Sequence, residues 1–228
     1  MGTFLSVVLY ISYAIFLVRI AWRIRLLARE QFLPTNSRKS TLSGRVLTGV
    51  KTVRDILLLS RLFWSNPCLW WGEWLFHAAF VFTMVRHLRY VMQPAPAWLA
   101  SYQTFGICSG YVLAASLLFI IIYKISAIRT QYVSRYNYFI LSLVFIISLS
   151  GILMTTVLKI DVTSAKYFML GALTFHPVSS PESITFSIHF VTSMLLLIFI
   201  PTHIFSAPFT LIEARKRDEA LRLVMHEK

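Results

Sequence analysis

Five mostly apolar runs of about 20 residues or more recur along the chain, parted by short breaks marked by proline, glycine or charge. The runs cover roughly 3–25, 69–92, 104–126, 136–158 and 184–210. Each is long enough to cross a bilayer as a helix, which takes roughly 20 residues. The breaks carry turn-forming residues, as in QPAPAW at 93–98. The pattern predicts an all-α fold: an integral membrane bundle of five transmembrane helices, forming a single membrane domain over 1–228. No internal repeat and no low-complexity run appears.

Two segments depart from the apolar pattern. The stretch GRVLTGVKTVRDILLLSRLF (44–63) spaces Val46, Leu47, Val50, Val53, Leu57 and Leu58 as one helix face, with Arg45, Lys51, Arg54 and Asp55 between them. It predicts an amphipathic helix at the membrane interface, held by lipid or docking a cytoplasmic partner. The tail 211–228, ending EARKRDEALRLVMHEK, reads as a solvated helix or a second piece of such a dock. The segment 159–183 reads as a moderately polar loop with His176 beside Pro177.

Composition agrees with the membrane reading. Hydrophobic residues make up 57% of the chain, charged residues only 14%, and mean hydropathy is +0.69. The net charge of +13 is unevenly placed. Eighteen of the 22 lysines and arginines fall in 19–61, in the loop region between spans three and four, or in the tail. The four others are Arg86, Arg89, Lys159 and Lys166. The positive-inside rule then puts the N-terminus outside and the C-terminus in the cytoplasm; the expected location is the plasma (inner) membrane of a prokaryote. Because the cations follow topology and no nucleic-acid-binding fold is present, the basic pI of about 10.1 does not point to nucleic acid.

The two cysteines, Cys68 and Cys108, are isolated, and no CxxC or CxxCH occurs. That excludes covalent c-type haem and cysteine-ligated clusters within this chain. The N-terminal MGTFLSVVLYISYAIFLVRIAW has no basic region before its apolar run, so it reads as a retained first helix rather than a cleaved signal. Its MGTFLS start fits a myristoylation pattern only superficially.

The chemistry lies in four histidines. His77 and His87 sit in span two, and His189 and His203 in span five. Ionisable residues inside a membrane usually face the bundle interior and serve a function. Spans two and five are antiparallel, so His87 pairs with His189 on the outer side and His77 with His203 on the inner side. The separations along the helices are about 15 Å for ten residues and about 21 Å for fourteen. Around the axis, His77 and His87 differ by about 80°, and His189 and His203 by about 40°. Four neutral imidazoles in two pairs would ligate two b-type haems, closed to oxygen and suited to electron transfer. The same four residues are the candidate metal ligands.

Arg86 and Arg89 flank His87 and could serve haem propionates. Gly110, Ser150 and Gly151 are small enough to let a porphyrin approach the backbone. Trp64, Trp70, Trp71 and Trp74 read as an aromatic belt at the cytoplasmic boundary, and Glu73 as a boundary acid. His176 and His226 read as solvent-exposed, outside any span. A non-haem transporter or scaffold with proton- or zinc-binding histidines is the alternative. No inverted repeat or pair of broken helices favours it.

The segment HIFSAP, His203 to Pro208, resembles the gamma subunit of respiratory nitrate reductase, a five-helix dihaem cytochrome b. The segment LFHAAFVFTMVRHLRYVMQPAPAW (75–98), preceded by RVLTGVKTVRDILLLSRLF, resembles one branch of that superfamily more closely. That branch is the membrane cytochrome b subunit of dissimilatory-sulfite-reductase-linked and heterodisulfide-reductase-like quinone complexes. The resemblance implies haem ligands on helices two and five, matching His77, His87, His189 and His203. It implies menaquinone or ubiquinone chemistry near the outer haem and electron exchange with a cytoplasmic iron–sulfur subunit near the inner one. Arg86, Arg89 or Glu182 would help position the quinol. Such a chain is an electron-transfer subunit with quinol dehydrogenase activity, not a complete enzyme alone. A nitrate-reductase-type gamma subunit is the rival within the superfamily. In the last span the histidine pair is closer than in that subunit, by what looks like one deleted helical turn. Pro201 is placed to kink the helix before His203.

Overall fold

The computed structural model describes residues 2–31, 53–126 and 134–203. It is helical, with no strand among the described residues. The long elements are α1 (Gly2–Gln31), α2 (Pro67–His87), α3 (Gln103–Ser126), α4 (Arg135–Thr156), α5 (Val162–Leu173) and α6 (Ile184–His203). Among the described residues, five helices are long and apolar enough to span a membrane. Their spans are Gly2–Leu26, Pro67–Tyr90, Gln103–Ser126, Arg135–Thr156 and Ile184–His203. The expected spans agree to within about two residues at every described boundary except the last, whose 204–210 lies outside the described residues. Outward faces stay apolar, with Ile11, Val18, Val81, Ile122 and Ile188 exposed. In lipid such faces need no cover, and the backbone groups are satisfied within each helix.

Local sequence explains where the helices start. Asn66 caps α2 by accepting from the Leu69 amide at 3.0 Å, with Pro67 at the first helical position. The Tyr123 hydroxyl donates to the same Asn66 oxygen at 3.1 Å and ties the end of α3 to the start of α2. Ser134 caps α4 through the Asn137 amide. At its far end α2 tightens into a 3₁₀ turn, Leu88–Tyr90, so the spanning segment closes just past His87.

Two glycines let α2 and α3 approach closely. A Cβ at Gly72 would lie 2.6 Å from the Phe119 ring, and one at Gly106 would lie 2.6 Å from the Arg86 side chain. One core cluster joins α2, α3, α4 and α6 through Phe76, Leu117, Ile120, Val144 and Leu196. A second gathers Leu5, Ala165, Phe168, Phe186 and Phe190 from α1, α5 and α6. α1 is also pinned by Tyr10 donating to the Ala172 carbonyl at 2.8 Å and Arg19 to the Ile198 carbonyl at 3.0 Å.

Two extramembrane segments differ from expectation. The loop 159–183 contains α5, whose Ala165, Phe168 and Ala172 are buried at helical spacing. Asp161 caps it, accepting from the Thr163 and Ser164 amides at 2.9 and 3.0 Å and from the Ser164 hydroxyl at 2.6 Å. In the amphipathic segment 44–63, residues 44–52 lie outside the described part. The remainder is two short helices, 53–57 and Ser60–Ser65, rather than one. The break falls at Leu59, which takes a left-handed φ of 48°, while Ser60 donates to Asp55 at 2.7 Å. The tail 211–228 lies outside the described residues.

The Asp161 cap gives a pH-dependent expectation. The Ser164 hydroxyl, then the Thr163 and Ser164 amides, hold its carboxyl below the ordinary carboxylate range. The folded state therefore gains from the ionised form, fully so above the unfolded value of about 4. That gain is lost as pH falls through the lowered folded value. Protection of the first-turn amides of α5 against hydrogen exchange, relative to the intrinsic rate at each pH, should fall in acid, and Asp161→Ala should show the low protection at every pH.

Candidate functional site

The two helices that carry the histidines bring them together in antiparallel order. The rings of His87 and His189 lie 6.2 Å apart, centre to centre, with planes only 7° from parallel. Two imidazoles bound to opposite sides of one first-row metal have ligating nitrogens about 4 Å apart and ring centres about 6 Å apart. The observed spacing fits that arrangement.

Hydrogen bonds on the far side of each ring decide which nitrogen is free to ligate. His87 Nδ1 is 2.7 Å from the Thr83 carbonyl one turn earlier in α2. A carbonyl only accepts, so Nδ1 carries the proton and Nε2 keeps its lone pair. His189 Nδ1 lies 3.0 Å from the Ile147 carbonyl on α4 and 3.0 Å from the Ser150 hydroxyl oxygen. The same logic leaves its Nε2 as the basic nitrogen. Gly151 makes room for this ring, since a Cβ there would sit 3.2 Å from His189 Cε1. Both residues are half-buried.

His77 and His203 are more open than His87 and His189. His77 Nδ1 donates to the Glu73 carbonyl at 2.7 Å, again one turn earlier, leaving Nε2 basic. His203 lies within electrostatic range of His77, Glu73 and Lys124. His77 and His203 are both exposed. Pro201 is fully buried, and α6 continues through it to His203. Beside this pair, Lys124 on α3 forms a 2.8 Å ion pair with Glu73 on α2, both side chains about 15% exposed.

Arg86 and Arg89 flank His87 along the chain. The Nε groups of both are buried and make no hydrogen bond. Arg89 Nη1 donates to Gln103, and its Nη2 donates to the Tyr90 hydroxyl at 2.6 Å. Its guanidinium also lies over the Tyr90 ring, and Tyr90 is 6.0 Å from the His87 ring. Among the described residues neither arginine forms an ion pair. Two half-buried cations beside a pair of metal-suited imidazoles match the needs of a ligand that is metal-centred and carries carboxylates.

Other expected positions fall as follows. A Cβ at Gly110, on α3, would meet nothing within 4 Å, and the Ser148 hydroxyl donates to its carbonyl. Trp70 donates to the Leu58 carbonyl at 2.7 Å and packs against Phe63, Trp71 and Trp74, while Trp64 meets Phe63. Glu182 is exposed in the segment before α6. His176 is exposed, its Nδ1 donating to the Thr174 carbonyl at 2.7 Å, and His226 lies outside the described residues. The sequence alone did not single out Thr83, the Ser150 hydroxyl as a partner of His189, or the Lys124–Glu73 pair. A carbonyl one turn before a helical histidine is a signal that was available. The two contacts between helices needed the register of the packed bundle.

Among curated proteins, the chain is 27% identical over 150 residues to the Hdr-like menaquinol oxidoreductase cytochrome b-like subunit of Archaeoglobus profundus. That match covers 58% of this chain and 44% of the relative. The protein of the same description from Archaeoglobus fulgidus is 26% identical over 181 residues, covering 70% of this chain and 54% of the relative. The chain thus spans about half the length of these curated relatives. No family model matches, and no solved structure matches. At this distance the chain is similar to Hdr-like cytochrome b-like subunits, in line with the second of the two resemblances drawn from its sequence.

Proposed function

We propose that this chain is a dihaem b-type cytochrome subunit of a membrane quinol oxidoreductase complex. It links the quinol pool to a cytoplasmic iron–sulfur partner of the sulfur or heterodisulfide type. The observation that carries this reading is the parallel His87–His189 pair, 6.2 Å apart, with both Nδ1 protons already committed.

His87 and His189 hold the outer haem, and His77 and His203 the inner one. Held between two neutral imidazoles, a b-type haem supplies one-electron transfer and offers no open site for oxygen. The Thr83, Ile147 and Glu73 carbonyls fix the ring tautomers so that Nε2 faces its task as a lone-pair donor. Arg86 and Arg89, whose Nε groups are buried without a hydrogen bond, would supply positive charge to the haem carboxylates. The N-terminus lies outside, which puts the inner pair on the cation-rich cytoplasmic face beside the partner. The names of the relatives favour menaquinol over ubiquinol as the substrate; the site of action in this reading is the plasma membrane of a prokaryote.

The test is reduction of the purified chain, in detergent or nanodiscs, by a menaquinol analogue. The expected result is an increase in reduced b-type absorbance that is absent in His87→Ala. A chain whose haems dithionite reduces, but quinol does not, would remove the quinol part of the reading.

A further inference from the structure

We propose that Ser150 is a positioning residue for His189 and sets the donor strength of its Nε2. The inference rests on the assignment of His87 and His189 as ligands of the outer haem.

The two rings are held differently. His87 is oriented by one acceptor, the Thr83 carbonyl of its own helix. His189 is oriented across a helix interface, by two acceptors on α4. The Ser150 hydroxyl donates to the Ile147 carbonyl at 2.9 Å. Its proton is thereby spent, and its oxygen lone pairs are left to receive the His189 Nδ1–H. Ser150 is 8% exposed, so water does not compete strongly for this contact. Next to it, Gly151 is the residue that lets α4 come this close to the ring. Serine and glycine together form a seat: one fixes the proton, the other clears the space.

An imidazole whose N–H donates more strongly becomes a more basic ligand through its other nitrogen. A more basic ligand favours the oxidised metal and lowers the reduction potential. Removing the Ser150 hydroxyl should therefore raise the potential of the outer haem and leave the inner one unchanged.

The experiment is an optical potentiometric titration with EPR on the purified full chain. Wild type is compared with Ser150→Ala, Ser150→Thr and His87→Ala, the last identifying the outer component by its loss. Ser150→Ala should keep two haems, move the outer midpoint upward and alter only its EPR g-values, and Ser150→Thr should restore both. Loss of the outer haem alone in Ser150→Ala, regained in Ser150→Thr, supports the same role. If Ser150→Ala does not fold, the isosteric pair Ser150→Thr and Ser150→Val carries the comparison, since these differ only by the hydroxyl. A hydroxyl-free variant with wild-type midpoints and g-values would overturn the proposal while leaving the ligand assignment intact. A wild-type chain that binds no haem, or a His87→Ala variant that loses none, would instead overturn the assignment and the proposal with it.

Discussion

Replacing His87 with alanine is expected to halve the haem content of the purified chain, and His189→Ala is expected to do the same to the same haem. The two residues face each other at 6.2 Å, as two ligands of one haem would. The double variant His87→Ala/His189→Ala should therefore lose no more than either single variant. Combining His87→Ala with His203→Ala should remove both haems, because these residues belong to different pairs. Non-additivity within a pair and additivity between pairs is the behaviour expected of residues that share a partner or do not. Haem counted per polypeptide, with the reduced spectrum, reads this directly. A His87→Ala/His189→Ala variant that lost both haems would mean that the pairing is wrong.

Lys124→Ala is expected to be the most destabilising change away from the histidines. It leaves the Glu73 carboxylate at the α2–α3 interface, about 15% exposed, with no ion-pair partner among the described residues. Removing one partner of a buried ion pair costs about 3 kcal/mol, because the remaining charge is stranded in a poor solvent. Replacing both members should cost much less, since a matched apolar pair needs no compensation. Lys124→Met with Glu73→Leu should thus regain most of the stability that Lys124→Ala loses. The Glu73 backbone also holds His77, so the single variant should loosen the inner haem before the outer one. Thermal unfolding in detergent, followed by the inner and outer haem signals, measures both effects.

The fold was largely legible because membrane helices are written in hydropathy alone. Runs of about 20 apolar residues need no partner to be recognised, and the five described spans fall where those runs lie. The order of the histidines was legible for the same reason. Antiparallel helices joined by known reversals place His87 beside His189 whatever the side-chain detail.

What stayed hidden was anything set by rotation and register between helices. Ser150 read only as a small residue, because nothing in α4 announces that its hydroxyl meets an imidazole 39 positions later. Lys124 read as a topological charge, and Glu73 as a boundary acid, until helix packing put them 2.8 Å apart. The loop 159–183 concealed α5 because its buried face is only Ala165, Phe168 and Ala172, too few to stand out from a polar segment. The break at Leu59 was hidden in an unbroken run of leucines, Leu57 to Leu59, whose pattern gives no turn signal.

The central claim is that the four histidines hold two haems. It is tested most directly by a dithionite-reduced minus oxidised optical spectrum of the purified wild-type chain, with haem counted per polypeptide. The account predicts b-type bands and two haems for each chain. A folded sample with no haem absorbance would contradict it, and the parallel His87 and His189 rings would then call for a proton- or metal-binding role instead.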